Sequence, residues 1–281
     1  MFRTSVALAA LLAAATMTTP MSASAQENPA APTEAEVEAL DLWLEEVHGD
    51  RALAWVEEHN QQSLGVLQGD PRYQVLYDEA LEILQATDRI PSPGFTPGGH
   101  IDNFWQDANH VRGIWRRTTL DSYQSGDTQW ETILDIDALA EAEGENWVYK
   151  GASCLPPDER YCLISLSDGG RDAVTVREFD SVERRFVDGG FVIPESKSDL
   201  TWIDRDTLLV GTDWGGDGDM TDSGYPNTVR VLRRGQALDQ AQEIFRGQTT
   251  DVSSSSYTLR NADGELQATL INRGITFYEG Q

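Results

Sequence analysis

Residues 257–273 read YTLRNADGELQATLINR, in which two runs of alternating apolar and polar residues flank the tetrapeptide Asn261–Gly264. Alternation with a period of two is typical of a β-strand that buries one of its faces. Asn, Asp and Gly are the residues that tight turns between antiparallel strands favour. This stretch therefore predicts a β-hairpin.

The same alternation recurs through the chain from about residue 100 onward. It appears in short runs separated by Asn, Asp and Gly: VRGIWRRTTL (111–120), WETILDI (130–136), NWVYKGASC (146–154), YCLISLS (161–167), AVTVREF (173–179), TLLVGTD (207–213) and NTVRVLRR (227–234). About a dozen strands are expected by this pattern, with one helical exception at Gln240–Phe245. A meander of this kind predicts a sandwich, a barrel or a propeller.

Length narrows the choice among these β-architectures without deciding it. A propeller blade takes about 40–50 residues and four strands. Residues 97–281 therefore correspond to about four blades at most by that measure. No clear repeat is visible in the sequence, so periodicity permits a propeller and does not select it. We assign residues 90–281 to this β-region.

A helical block is predicted over residues 33–89. Thr33 and Glu36 form a capping box at its start, and apolar residues then recur at helical spacing. A second helix is expected from Asp50, and a third from Asp70, where Pro71 occupies the first helical position. The apolar residues at helical spacing in the first helix are Val37, Leu40, Leu44 and Val47. The apolar faces of the second and third helices are expected to be buried; they comprise Leu53, Trp55, Val56, Val75, Leu76, Leu81 and Leu84.

The N-terminal residues have the pattern of a signal peptide. Arg3 precedes an apolar run over residues 6–15, and the sequence Ala-Ser-Ala over residues 23–25 is a typical cleavage site. The run is too short to span a bilayer. We therefore predict a signal peptide over residues 1–25, a linker over residues 26–32, and a protein that is periplasmic or secreted.

Charge excludes some classes of partner. Lys and Arg number 21 against 47 Asp and Glu, which gives a formal net charge of −26. A surface with this excess of carboxylates repels phosphate groups, so neither nucleic acid nor an anionic membrane is expected to bind. Hydrophobic residues make up 40% of the chain, enough for a folded core.

The two cysteines, Cys154 and Cys162, are candidates for a disulfide. They flank the turn sequence Pro-Pro-Asp at residues 156–158, and cysteines that face each other across a hairpin come close enough to bridge. Exported proteins retain such bonds. A metal site is not expected here, because no histidine is near and two thiolates do not complete a zinc shell.

An acidic loop raises the question of calcium. Asp213, Asp217, Asp219 and Asp222 lie within TDWGGDGDMTDSG, residues 212–224, and could offer oxygen ligands. Their spacing does not fit an EF-hand, and Asp and Gly are also ordinary residues of a long turn. An alternative interpretation of the whole chain follows: a self-contained, exported, acidic β-rich binding module that calcium stabilises.

Motifs for catalysis and cofactors are missing from the sequence. It contains no G-x-S-x-G, no P-loop, no G-x-G-x-x-G and no H-E-x-x-H. The four histidines, His48, His59, His100 and His110, have no serine or cysteine at a spacing that indicates a triad. We therefore predict no catalytic residue, no metal site and no cofactor in these 281 residues.

Five blocks, in order, resemble the prolyl oligopeptidase family of serine peptidases. They are DLWLEEVHGDRALAWVEEHN (41–60), WETILDIDALAEAEGENWVYKG (130–151), LISLSDGGRDAVTVREFD (163–180), FVIPESKSDLTWIDRDTLLVGTDWG (191–215) and TDSGYPNTVRVLRRG (221–235). The first resembles the family's N-terminal segment, and the others follow the order of its propeller.

The resemblance implies a fold and separate roles for two domains. Family members insert a β-propeller between N-terminal helices and an α/β-hydrolase domain that carries the catalytic Ser, Asp and His. The propeller covers the active site and admits short, flexible peptides, which are cleaved after proline. None of the triad positions falls within these residues, so the chain is expected to comprise the helices and a partial propeller, with the hydrolase domain absent. Its expected role is to filter substrate for that domain, and Ser223 is expected to be a turn residue without a base.

Overall fold

The computed structural model describes residues 42–46 and 49–281. The predicted signal peptide, the linker and most of the first predicted helix lie outside these residues. The chain divides into two compact units, residues 1–75 and 76–281. No helix among the described residues is long and apolar enough to span a membrane.

Two helices represent the predicted helical block. After a short 3₁₀ helix at Leu42–Glu45, α1 spans Asp50–Gln68 and α2 spans Tyr73–Gln85. Helix α2 begins two residues after Pro71, so Pro71 lies in the preceding turn rather than at the first helical position. In that turn the Asp70 carboxylate accepts a hydrogen bond from the Arg72 N–H (2.9 Å).

The predicted burial of the helical faces is wrong for both described helices. Leu53 on α1 is 52% exposed, and Val75 and Leu84 on α2 are 57% and 66% exposed. Helical spacing gathers apolar side chains on one face, but it does not specify what covers that face.

The mainly β fold predicted from the alternating runs is confirmed. The first sheet contains β1 (Gly94–Thr96), β2 (His100–Trp105), β3 (Ile114–Thr119) and β4 (Glu131–Asp135). The second contains β5 (Trp147–Cys154), β6 (Tyr161–Asp168), β7 (Val174–Asp180), β8 (Arg185–Phe186) and β9 (Val192–Ser196). The third contains β10 (Asp199–Asp204), β11 (Thr207–Gly211), β12 (Thr228–Arg233) and β13 (Gln242–Arg246). A two-stranded sheet of β14 (Ser253–Arg260) and β15 (Leu266–Gly274) follows.

These sheets have the organisation of propeller blades. Each is built from strands that are consecutive in the chain, and every pair among the described strands is antiparallel. Blades with four such strands are the repeating unit of a propeller. The expectation of about four blades corresponds to three sheets with four or five strands and one sheet with two.

The helix predicted at Gln240–Phe245 is wrong. The chain forms a 3₁₀ turn at Leu238–Gln240 and then strand β13, in which Phe245 lies opposite Val229 of β12. Pairing along the free edge of β12 outweighs the local helix preference of Gln and Glu. Two short helices that connect strands, α3 (Leu120–Gln124) and α4 (Ile136–Glu143), complete the fold.

The predicted hairpin at residues 257–273 is present as β14 and β15. The Asn261 side-chain carbonyl accepts hydrogen bonds from the N–H groups of Asp263 (3.0 Å) and Glu265 (2.9 Å). Gly264 has a φ of +81°, which an L-residue with a side chain rarely adopts. The turn residues of the sequence therefore account for the turn.

Two apolar clusters hold neighbouring sheets together. Trp115 of the first sheet packs in one cluster with Ile164 and Phe179 of the second. Trp202 of the third sheet packs in the other cluster with Leu163 and Val176 of the second. The second sheet thus buries both faces. Trp115, Trp147 and Trp202 are buried, and Trp130 is half-buried.

Candidate functional site

The two cysteines are neighbours across a hairpin. Cys154 on β5 lies directly opposite Cys162 on β6, and a disulfide joins them. The turn between the two strands contains a cis peptide bond from Pro156 to Pro157. The bridge closes the hairpin that begins the second sheet.

The four aspartates proposed for calcium are not gathered into a ligand set. Asp219 is buried, and its Oδ1 accepts hydrogen bonds from Arg246 (2.9 Å) and Arg230 (3.2 Å). Its Oδ2 accepts a hydrogen bond from the Gly216 N–H (3.0 Å). Among the described residues, no group of three or more acidic, histidine or cysteine side chains is placed to hold a metal ion. Two guanidinium groups already neutralise the one buried carboxylate of this loop.

The histidine rings in the described part of the chain have carbonyl or carboxylate oxygens, not serine hydroxyls, as hydrogen-bond partners. His59 and His100 lie within hydrogen-bond distance of the carbonyl oxygens of Trp55 and Pro97, at 2.8 and 3.2 Å. His110 lies 3.0 Å from the Asp107 carboxylate. Ser223 is exposed in the turn between Thr221 and Tyr225. The part of the chain that the structure describes therefore brings no serine to a histidine base.

A cleft of about 530 Å³ lies where the second, third and fourth sheets meet. Its walls come from β5 and β6, the start of β7, the segment Lys197–Asp199, the loop residues Tyr225 and Pro226, and the first residues of β14. Clefts of this size are the usual binding sites for small ligands or peptide segments. We take this cleft as the candidate functional site.

Hydrogen bonds between the first strands of these sheets position the walls. The Trp202 indole Nε1 donates to the Ser153 carbonyl oxygen (2.9 Å) and ties β10 to β5. The Thr201 hydroxyl donates to the Ser256 carbonyl oxygen (2.7 Å) and ties β10 to β14. The three strands are therefore held side by side by bonds that do not depend on a ligand.

Asp199, the first residue of β10, is the acidic group that this arrangement holds most firmly. Its Oδ2 accepts hydrogen bonds from the backbone N–H (2.7 Å) and the hydroxyl (3.2 Å) of Ser256. Burial raises the pKa of Asp199 above its ordinary value, and the two Ser256 hydrogen bonds partly oppose that rise. The carboxylate is thus engaged by the wall of the cleft.

Two lysines provide the cationic groups of the cleft. The Lys150 ammonium on β5 donates to the Gly170 carbonyl oxygen (3.0 Å). The Lys197 ammonium lies 4.3 Å from the centroid of the Tyr225 ring, a cation–π contact. Neither residue belongs to a recognisable sequence motif. A signal was present in the composition, because Lys150 and Lys197 are the only lysines among the 21 basic residues of the sequence.

Comparison with known sequences gives relatives over most of the chain. Residues 31–266 match the family described as the prolyl oligopeptidase N-terminal β-propeller domain. An uncharacterized peptidase, y4nA, of Sinorhizobium fredii is 52% identical over 249 residues, which cover 88% of this chain and 34% of that protein. An uncharacterized peptidase, RP174, of Rickettsia prowazekii is 33% identical over 212 residues, which cover 72% of this chain and 29% of that protein.

Solved structures with a similar fold come from the same family as these relatives. A post-proline cleaving enzyme from Rickettsia typhi superimposes with a TM-score of 0.77 at 28% identity, covering 86% of this chain and 36% of that enzyme. A structure from a study of two prolyl endopeptidases gives a TM-score of 0.64 at 15% identity, covering 85% of this chain and 34% of that chain, a likeness of fold. The chain spans about a third of the length of these relatives (34% and 29% for the two sequences, 36% for the Rickettsia typhi enzyme).

Proposed function

Since the chain belongs to the prolyl oligopeptidase family, whose N-terminal β-propeller domain it matches over residues 31–266, we propose that it is the substrate-filtering portion of an exported serine-type endopeptidase. The enzyme as a whole would cleave short peptides after proline. This portion would admit extended peptides and exclude folded ones, and bond cleavage would depend on a hydrolase domain.

The observation that carries the proposal is the likeness to the Rickettsia typhi enzyme, which is described as post-proline cleaving and shares 28% identity with 86% of this chain. The described residues hold antiparallel sheets and no serine bonded to a histidine, so they support a role in selection rather than in acyl transfer. Acyl transfer needs a nucleophile, a base and an oxyanion site in one place.

Export is supported by two observations of different kinds. The first 25 residues have the charge, the apolar run and the small-residue site of a signal peptide. The disulfide between Cys154 and Cys162 is a bond that persists in oxidising compartments such as the periplasm. We therefore propose a periplasmic or secreted protein.

The way the cleft is built supports the filtering role. Its walls include the first strands of three neighbouring sheets, and these strands are cross-linked by hydrogen bonds such as that from Thr201 to Ser256. A frame of this kind does not widen without breaking those bonds, so an extended peptide can lie in the cleft whereas a folded domain cannot. Exclusion would therefore be steric.

The test compares the 281-residue chain with the longer polypeptide that includes a hydrolase domain, using an N-blocked Gly-Pro p-nitroanilide. The longer polypeptide should hydrolyse it, lose activity on treatment with a fluorophosphonate, and cleave a Gly-Pro pentapeptide much faster than a folded protein that displays the same Gly-Pro in a surface loop. The 281-residue chain should show no turnover.

Two results would contradict the proposal. One is fluorophosphonate-sensitive hydrolysis by the 281-residue chain alone. The other is equal cleavage of the pentapeptide and the folded protein by the longer polypeptide, which would remove the filtering role.

A further inference from the structure

The distribution of the two kinds of basic residue is uneven across this chain. Arginines supply the ion pairs that join strands and sheets, as in Arg160 with Asp180 and Arg273 with Asp251. The only two lysines, Lys150 and Lys197, both line the same cleft. Arg presents a rigid planar fork that suits fixed ion pairs, whereas the Lys ammonium is a compact charge on a flexible stem. The cleft therefore holds both lysine ammonium groups of the chain.

Neither lysine forms an ion pair with any of the described residues. Lys150 gives one hydrogen bond to the Gly170 carbonyl oxygen, and Lys197 rests on the ring of Tyr225. No carboxylate oxygen among the described residues lies within 4.0 Å of either ammonium. An ammonium has three donors, so both groups retain donors for a ligand.

The rest of the wall supplies hydroxyl groups and carboxylates. Ser165 and Ser253 line the cleft, as does Ser198, whose hydroxyl lies 3.0 Å from the Thr212 hydroxyl. Asp172 and Asp199 lie in the same wall, so the formal charges of the two lysines and the two aspartates cancel. A cleft without net formal charge has no Coulomb preference for a doubly charged phosphate over a singly charged carboxylate.

We propose that this cleft binds a carboxylate group of a peptide, with Lys150 and Lys197 as its cationic ligands. The choice of a peptide as the source of the carboxylate rests on the proposed function, whereas the choice of an anion rests on two ammonium groups that have no ion-pair partner among the described residues. Bound this way, a peptide is held at its C-terminal carboxylate.

The scarcity of lysine makes a direct test practicable. Incorporation of ¹³C,¹⁵N-lysine into the full chain places NMR labels on Lys150 and Lys197 alone and leaves their ammonium donors intact. Lys150→Arg and Lys197→Arg variants assign the two side-chain signals. An N-acetylated pentapeptide with a free C-terminal carboxylate is then titrated against the same peptide with a C-terminal amide, and against inorganic phosphate.

Both lysine signals should shift with a common saturation curve when the peptide with the free carboxylate is added. The amide peptide should bind at least roughly tenfold more weakly, which is the size expected when a charge-assisted hydrogen bond is lost. Equal shifts with the amide would overturn the role of the carboxylate. Tighter binding of phosphate than of the peptide would show a general anion site and overturn the peptide assignment. Absence of any saturable shift would overturn the site altogether.

Charge-matched variants separate the site from the overall charge of the chain. Lys197→Gln should weaken peptide binding roughly tenfold, and Lys197→Arg should retain most of it. Arg185→Gln, which removes the same charge from an exposed residue on β8, should leave binding unchanged; an equal loss in Arg185→Gln would contradict the assignment. Cleavage of proline peptides by the longer polypeptide without carboxylate binding here would leave the proposed function intact and end only this inference.

Discussion

The carboxylate of Glu178 on β7 lies 2.9 Å from Nη1 of Arg234, which follows β12 in the neighbouring sheet. The Glu178 side chain is fully buried, and a second guanidinium, that of Arg205, also contacts it. The Phe191 N–H donates to the same carboxylate at 2.9 Å. One acidic side chain thus joins the second and third sheets through two arginines.

Replacing Glu178 with Gln should destabilise the protein by about 2–3 kcal/mol, because it leaves two guanidinium groups next to a buried site that no longer carries an opposite charge. We place the loss below the range of about 3–5 kcal/mol for a broken buried pair because both arginines are partly exposed. The measurement is urea unfolding followed by tryptophan fluorescence.

The control for this change is Glu183→Gln. Glu183 is exposed and lies 3.7 Å from Arg160, so its replacement should cost less than about 0.5 kcal/mol, as for other surface ion pairs. Equal losses for the two variants would mean that the contacts of Glu178 do not hold the sheets together.

Calcium should leave the stability of the protein unchanged. The Asp219 carboxylate already accepts hydrogen bonds from Arg230, Arg246 and the Gly216 N–H, so binding of a cation there would first have to displace two guanidinium groups. Thermal unfolding measured with added calcium and with EGTA should give the same midpoint. A higher midpoint in calcium that Asp219→Asn abolishes would restore the calcium-stabilised binding module as an interpretation.

The contact between Asp251 and Arg273 should make stability depend on pH below neutrality. The Arg273 guanidinium (2.7 Å) and the Gln248 N–H (2.7 Å) hold the pKa of Asp251 below its ordinary value of 3.8. A lowered pKa in the folded state means that the stabilisation is present above the unfolded value and is lost as pH falls through the folded value. The advantage of the wild type over Asp251→Asn should therefore be full at pH 6 and should shrink progressively below about pH 4.

Chemical unfolding of both proteins across this pH range tests the idea. The double variant in which Arg273→Met accompanies Asp251→Asn serves as the reference that lacks both partners. An advantage of the wild type that grows as the pH falls would contradict the sign of the linkage.

Removing the disulfide should lower stability by about 2–3 kcal/mol, the size expected for a bridge that closes a short loop. Cys154 and Cys162 are eight residues apart, and the bond restricts the unfolded chain over that length. The measurement compares the wild type with a variant in which both cysteines are replaced by serine. Dithiothreitol should destabilise the wild type to the level of the variant and leave the variant unchanged. Indifference of the wild type to the reductant would show that the bond does not form in solution.

Local patterns predict the strands of this protein well because each strand buries one face of a short, regular segment. The hairpin at residues 257–273 needs only alternation and the turn residues Asn261 and Gly264, and both are visible in the sequence. The predicted helix at Gln240–Phe245 is wrong for the opposite reason. Its residues suit a helix, but pairing with the edge of β12 makes most of this segment a strand. That edge comes from residues earlier in the chain, which no local pattern contains.

The candidate site is hidden from motif analysis for a similar reason. Lys150 and Lys197 are 47 positions apart in the sequence and lie in one cleft only because β5 and β10 are neighbours. No spacing rule relates them. Asp219 illustrates the converse case, because its acidic neighbours in the sequence suggest a cation whereas Arg230 and Arg246, which the loop does not contain, already bind it.

The exposed apolar face of α2 should make the isolated chain self-associate. Leu76 and Ile83 are 61% and 68% exposed, and each side chain that is buried on association contributes about 1–2 kcal/mol. Replacing both with Gln should lower the association constant by roughly tenfold or more, whereas Glu79→Gln on the same helix should leave it unchanged. Sedimentation velocity across a concentration series measures the effect, and circular dichroism verifies that the helix is retained. A wild-type chain that sediments as a monomer at every concentration would contradict this prediction, since it would show that the exposed face does not drive association.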